Sequence, residues 1–142
     1  LKNELVADFA GGKGKHINDT EAENLLKEGF DYMIQVDDNK HFAATNQKEL
    51  ELGDFLNHSC NPNCGIKGSL KIIALRDIRT GEEITFDYAM SESSKFSMSC
   101  RCKQKKCRKT ITGDDWKKKE LQKKYKGYFS DYLTRKINKQ RL

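Results

Sequence analysis

Proline is almost missing from this chain: Pro62 is the only one in 142 residues, and neither an internal repeat nor a low-complexity linker divides the sequence. One modest domain with a single core is the expectation. No apolar run approaches the roughly 18 residues that a membrane-spanning helix needs. No secretory signal pattern stands at the start, so the expectation is a protein that is not secreted and stays in a reducing compartment. The three glycines Gly11, Gly12 and Gly14 sit in GGKG, without the following Lys-Ser/Thr that would make a phosphate-binding loop, and read as a plain loop. No Ser-His-Asp or catalytic Cys-His arrangement argues for a covalent enzyme intermediate.

Charge is present in quantity but divided by sign. Residues 1–100 hold 11 Lys/Arg against 17 Asp/Glu, a net of −6, and residues 101–142 hold 16 against 4, a net of +12. The body is acidic and the tail basic. Such a tail can attract nucleic acid or an acidic protein surface, although a solvated, lysine-rich helical face is the commoner meaning. Cysteine is present as Cys60, Cys64, Cys100, Cys102 and Cys107. An odd count without a secretion signal argues against a disulfide framework and for metal ligation by some of them. Cys100-x-Cys102 is too tight for an ordinary disulfide but suits two thiolates on one metal, and Cys107 supplies a third. Structural zinc takes four ligands. Arg101, Lys103, Lys105, Lys106 and Arg108 surround these thiols with a field that favours the thiolate. The fourth ligand must lie elsewhere in the chain.

Alternation and turn residues predict mostly β structure. Glu4–Phe9, Tyr32–Asp37, His41–Thr45, Leu70–Leu75 and Ile84–Tyr88 read as strands, the second and third joined by a hairpin at Asp38-Asn39-Lys40. Thr20 and Glu23 read as a capping box for a short helix over 21–28, stopped by Gly29. Leu50, Leu52, Phe55 and Leu56 suggest a helical turn leading into Asn57. In the tail, Asp114 or Asp115 is expected to cap a helix over Trp116–Lys126 ended by Gly127, and Ser130 a second over Asp131–Lys139. The aromatics Trp116, Tyr125, Tyr128, Phe129 and Tyr132 have a spacing that fits packing better than a base-stacking row.

Three segments carry chemistry: NHSCNPNC at 57–64, EEITFDYA at 82–89 and CRCKQKKC at 100–107. In this order they resemble the SET-domain protein lysine methyltransferases, which show N-H-S-C-x-P-N, then G-E-E-L-T-F-D-Y, then a post-SET C-x-C-x4-C. YMIQVDD followed by AAT is similar to the family's stretch ahead of the first motif, and the likeness covers roughly residues 4–110. The resemblance implies a mostly β SET fold of small twisted sheets, in which the first two motifs cross in a pseudo-knot. The division it implies is a SET domain over 1–99, a post-SET zinc segment over 100–110 and a basic helical extension over 111–142. The family's G-x-G segment ahead of the first strand has no counterpart among these residues.

By resemblance the methyl donor is S-adenosylmethionine and the structural zinc is held by Cys60, Cys100, Cys102 and Cys107, leaving Cys64 as a small buried hydrophobe. Tyr88 is implied as the catalytic tyrosine. Asn57, His58 and Tyr32 are implied as donor-binding residues, with Arg101 touching the adenine through its backbone. Phe86 occupies the family's Phe/Tyr switch position, where loss of the hydroxyl permits di- or trimethylation. Phe9 stands where the family often has a channel tyrosine, and Asp54 where it often has an arginine. The implied partner is a protein with a target lysine, a cationic histone-like tail being the family's habitual substrate. The implied location is the nucleus in a eukaryote and the cytoplasm in a prokaryote. Methyl transfer needs a neutral amine, and presenting one at pH 7 from a lysine of ordinary pKa costs about 4.6 kcal/mol. A sulfonium alongside and a dry channel both lower that cost, which leaves alignment as the main task. Two other readings share these residues: a SET-like module that binds without turnover, and a zinc-stabilised nucleic-acid binder that uses the basic tail.

Overall fold

A computed structural model describes residues 1–142. Strand β1 (Leu5–Asp8) leads through a 3-10 turn into β2 (Lys15–Ile17), and helix α1 (Asp19–Lys27) follows. The helix starts two residues earlier than the Thr20-x-x-Glu23 box predicts. Asn18 accepts the Glu21 N–H at 2.9 Å while Glu21 Oε2 accepts the Asn18 N–H at 2.8 Å, so the reciprocal cap forms two residues upstream. Gly29, at φ +77°, turns the chain out of the helix.

The hairpin β3 (Met33–Asp37) and β4 (Lys40–Ala43) forms as expected. Asn39, the turn residue, takes φ +54°, a conformation that asparagine tolerates, and its side chain accepts the Asp19 N–H at 3.0 Å. β2 pairs with β4, giving the sheet β2-β4-β3, and Ile17, Ala22 and Ala43 seal α1 onto it.

The second sheet holds the two motif segments. β5 (Asn57–His58), β6 (Cys64–Lys67), β7 (Lys71–Ala74) and β8 (Thr85–Phe86) join β1 in the order β1-β7-β6-β8-β5. β8 is parallel to both its neighbours, with Asn57 opposite Thr85, His58 opposite Phe86 and Cys64 opposite Phe86. N-H-S-C and F-D-Y therefore lie side by side although about 25 residues separate them. Asn63 fastens the crossing: its Oδ1 accepts the Thr85 N–H at 3.0 Å and its Nδ2 donates to the Glu83 carbonyl at 2.8 Å. A small third sheet pairs β9 (Ser97–Ser99) with β10 (Thr110–Thr112), on either side of the cysteine segment.

The tail is built into the body. A 3-10 turn at Asp115–Lys117, α2 (Lys119–Lys124) and α3 (Asp131–Gln140) bury Trp116, Leu121, Tyr125, Phe129, Tyr132, Leu133 and Ile137 in one core with Ile34, Ile66, Ile72 and Phe86. Each large apolar side chain buried there contributes about 1.5–3 kcal/mol. The single helix expected over Trp116–Lys126 is thus two pieces. Lys118 is extended between them, and neither Asp114 nor Asp115 uses its side chain as a cap. Asp115 is instead buried and committed to Arg108, Thr112 and Lys118. Where the tail crosses β6, Ile66 donates to the Tyr128 carbonyl at 3.1 Å, and a Cβ on Gly65 would stand 2.9 Å from the Tyr128 Cβ. Only glycine admits that approach. No helix is long and apolar enough to cross a membrane.

Candidate active site and thiol cluster

Cys60 follows β5, and Cys100, Cys102 and Cys107 lie between β9 and β10. Their four sulfurs all fall within 4.8 Å of one another, with Cys60 Sγ and Cys100 Sγ at 3.8 Å. A tetrahedral zinc with bonds of about 2.3 Å has sulfur–sulfur edges of about 3.8 Å, so the donor set fits that ion. The surroundings suit thiolates. The N–H groups of Arg108 and Lys109 donate to Cys60 and Cys107 sulfurs, each at 3.4 Å, and His58 Nε2 lies 3.4 Å from Cys60 Sγ. Burial pushes the Cys100 thiol up to about 12. Against the same burial, N–H groups of Cys60 and Gln104 hold Cys102 down to about 6. Lys103 and Lys109 take φ of +58° and +66°, which curls the chain tightly beside the cysteines. Cys64 lies apart, fully buried, with its thiol pushed up to about 11.

A buried ionic network ties this cluster to the F-D-Y motif. Asp87, with no exposed surface, receives a forked pair from Arg108 at 2.6 and 2.8 Å, the Tyr125 hydroxyl at 2.9 Å and the Ala89 N–H at 3.0 Å. Arg108 Nε also donates to Asp115 at 3.1 Å. Lys124 Nζ donates to the Cys60 carbonyl at 2.9 Å. The sequence pointed to Arg108 only as part of a positive field around the thiols. Its specific role depends on Asp87 and Asp115, which lie 21 and 7 residues away.

Tyr88 is the next residue. Its N–H donates to His58 Nδ1 at 3.1 Å, its ring meets the His58 ring edge-on at 5.2 Å, and its hydroxyl donates to the Leu56 carbonyl at 3.3 Å. Burial, reinforced by the charges of Asp31 and Glu92, pushes its phenol up to about 12. Burial also lowers the His58 pKa, against the pull of Asp87. Phe86 packs on Tyr88 at 5.1 Å. Phe9, Leu56, Phe86 and Tyr88 line a cavity of about 390 Å³ that residues of α1 and Ser94, Lys95, Phe96 and Met98 also border.

Asn57, Tyr32 and Arg101, also singled out from sequence, do not line this cavity. Asn57 is exposed and donates to Glu83 Oε1 at 2.9 Å. Tyr32 stands edge-on to both Phe30 and Phe55. Phe55 and Leu52 remain 55% and 92% exposed, an apolar surface directly ahead of Asn57 that a heteroaromatic ligand could cover. Arg101 is exposed. Asp54, singled out from sequence, does line the cavity, whereas sequence reading missed the other acids there, Asp19 and Glu23 from α1 together with Asp31 and Glu92. Asp19, Ala22, Glu23 and Leu26 have the i, i+3, i+4, i+7 spacing of one helix face, a visible signal, but which surface that face borders was not.

The sequence profile of the SET domain matches residues 1–89. A Schizosaccharomyces pombe protein named "Histone-lysine N-methyltransferase, H3 lysine-4 specific" is 33% identical over 117 residues, covering 75% of this chain and 12% of its own length. The Dictyostelium discoideum "Histone-lysine N-methyltransferase set1" is 36% identical over 118 residues, covering 76% of this chain and 8% of its own length. A Mycosarcoma maydis "Histone-lysine N-methyltransferase, H3 lysine-36 specific" is 34% identical over 89 residues, covering 58% of this chain and 9% of its own length. The chain therefore spans about a tenth of the length of these curated relatives. Among solved structures, the methyltransferase domain of human Histone-lysine N-methyltransferase SETMAR superposes with a TM-score of 0.55 at 22% identity, over 76% of this chain and 49% of that one, a likeness of fold. The chain belongs to the SET domain family.

Proposed function

We propose that the chain transfers methyl groups from S-adenosylmethionine to the side-chain amine of a lysine in a protein. The observation that carries this reading is the position of Tyr88: held by His58 at the crossing of the two motifs, it lines a cavity together with Phe86 and Phe9. In the reaction the amine lone pair forms a bond to the methyl carbon as the carbon–sulfur bond breaks, and the sulfur keeps the electron pair.

Tyr88 stays protonated at neutral pH because its phenol sits near 12. Its part is that of a fixed dipole beside the reacting centre, with the Leu56 carbonyl. Phe9, Phe86 and Leu56 keep water from the amine and favour its neutral form. Asn57, His58, Tyr32 and the backbone at Arg101 form the donor side. One N–H of the Asn57 amide is engaged by Glu83, which leaves its Oδ1 and its second N–H to face the donor. Cys60, Cys100, Cys102 and Cys107 hold the zinc, which supplies structure by fixing residues 100–107 beside His58. The relatives' names favour a histone as substrate and a nuclear location. The tail aromatics are largely buried, which removes them as a base-stacking row.

The test is transfer of labelled methyl from S-adenosylmethionine to a panel of basic proteins by the zinc-loaded chain, with the labelled residue mapped by mass spectrometry. Label on lysine is the expected result, and label confined to other residues contradicts the reading. A second outcome concerns Phe86, which is buried against Tyr88. Phe86→Tyr adds a hydroxyl where the amine must turn to accept further methyl groups. Products of the wild-type chain should include the di- or trimethyl form, and the variant should stop at one methyl. An unchanged product distribution would remove Phe86 from this role.

A further inference from the structure

Methyl transfer leaves most of the tail's positive charge without a role. Of the four acids among residues 101–142, Asp115 is buried against Arg108 and Asp114 pairs with Lys117, so only Glu120 and Asp131 remain to offset the lysines and arginines there. Arg101, Lys103, Lys105, Lys106 and Lys109 are exposed on the segment that carries three of the clustered cysteines. None of them forms an ion pair.

Helix α2 adjoins this segment. Lys124 Nζ donates to the carbonyl of Cys60, whose sulfur belongs to the cluster, at 2.9 Å. Arg108, at the end of the cysteine segment, donates to Asp115, just ahead of the helix, at 3.1 Å. Leu121, Gln122 and Tyr125 are the buried side of this part of the chain. Lys119 and Lys123, one turn apart, are exposed and unpaired on the other side. The charges of the loop and those of α2 therefore stand next to one another.

What this face lacks narrows its partner. No large apolar side chain is exposed between residues 99 and 141. A protein interface has an apolar, aromatic-rich centre, and a helix lying on a membrane needs an apolar side; neither is offered here. Trp116, Tyr125, Phe129 and Tyr132 are buried, so no aromatic row is open to stack the bases of a single strand. Charge alone remains, and it suits a partner whose surface is itself a dense row of anions. Duplex DNA carries one negative charge per about 1.7 Å of its axis, whereas a single strand or an extended acidic peptide carries one per about 3.4 Å. Duplex RNA is held partly through its 2′-hydroxyls, and Gln104 is the only neutral polar side chain of the amide or hydroxyl kind between Arg101 and Lys109.

We propose that residues 101–109 and the exposed side of α2 form a docking face for double-stranded DNA, held through its phosphates without reading its sequence. The inference is independent of methyl transfer and uses none of the residues that line the cavity.

The test is fluorescence anisotropy of a short labelled DNA duplex with the zinc-loaded chain. Micromolar binding is expected at about 50 mM salt, weakening about a hundredfold by about 200 mM, the loss that accompanies about four neutralised phosphates. Two fourfold variants then make the same change in net charge. Lys105→Gln, Lys106→Gln, Lys119→Gln and Lys123→Gln together should weaken binding at least about tenfold and halve the salt dependence. Lys2→Gln, Lys13→Gln, Lys40→Gln and Lys71→Gln together should weaken it less than about threefold, because distant charges are screened. All eight side chains are exposed, so both variants are expected to fold and to hold zinc. A single strand and polyglutamate should bind more weakly than the duplex, and an RNA duplex no more tightly. No duplex binding at about 50 mM salt overturns the proposal. So does an equal loss in the two variants, which would leave net charge as the whole effect. Binding of the single strand or polyglutamate as tight as that of the DNA duplex, or tighter binding of the RNA duplex, also overturns it and gives the face to that partner. Labelled-methyl transfer by the same protein is read separately, and its success or failure leaves each of these outcomes unchanged.

Discussion

Removing the metal from a chain loaded with one zinc per molecule is expected to free residues 97–112 and abolish methyl transfer while the β3–β4 hairpin stays folded. Cys60 belongs to the β5 segment, and the other three ligands sit in a stretch whose only regular structure is the short pair β9 and β10. Without the ion, four thiols within 4.8 Å have no common partner, and two lysines remain at positive φ. Structural zinc sites in small peptides bind with about 10–16 kcal/mol. Here most of the core forms elsewhere, so the loss should be local. Amide hydrogen exchange is the measurement: protection between 97 and 112 should fall sharply on chelation while that of 33–43 changes little. One zinc per chain and its loss in Cys60→Ser complete the expectation. A chain that binds no zinc, or keeps protection at 97–112 when stripped, would contradict it.

Arg108→Met is expected to cost about 3–5 kcal/mol in the zinc-loaded chain, read as a lower denaturation midpoint at unchanged slope. The substitution leaves Asp87 and Asp115, both essentially without solvent, lacking their shared cation. Tyr125 and the Ala89 N–H still reach Asp87 but carry no full charge. Burying an ion pair gives little net stability, yet breaking one by removing a partner is expensive, because the remaining carboxylate can no longer reach water. Activity should fall with stability, since Asp87 immediately precedes Tyr88. A loss under about 1 kcal/mol would mean that water reaches these carboxylates and the network is not closed.

The site's residues were legible in the sequence to the extent that they sit in contiguous motifs. N-H-S-C and C-x-C-x4-C supplied the four cysteines whose sulfurs converge, a set that could hold a metal, and F-D-Y supplied the tyrosine proposed as catalytic. What the sequence did not disclose falls into two kinds. Strands β2, β9 and β10 are three residues long, and KHI, SMS and TIT do not alternate clearly enough to stand out from a loop. They are strands because partners lie alongside. Cys64–Lys67 became β6 for the same reason: CGIK includes a glycine that propensity disfavours, and it is fixed by β7, β8 and the tail.

The second kind is long-range pairing. Arg108 with Asp87, Tyr125 with Asp87, and the acids of α1 with Glu92 become meaningful only once the tail and the two sheets are assembled. The helix cap shows the limit of local rules. Thr20 and Glu23 satisfy the pattern as well as Asn18 and Glu21, and the choice follows from Asn39, whose side chain holds the Asp19 N–H in place.

The most direct test of the account compares wild type with Tyr88→Phe in a single turnover, using zinc-loaded protein, labelled S-adenosylmethionine and a lysine peptide that the wild type modifies. The wild-type chain should place the label on the lysine nitrogen. The variant, which lacks only the hydroxyl that bonds to Leu56, should bind donor equally well and transfer about a hundredfold more slowly. Transfer by the variant at the wild-type rate, or no label on lysine from a folded, zinc-loaded wild-type chain, would contradict it.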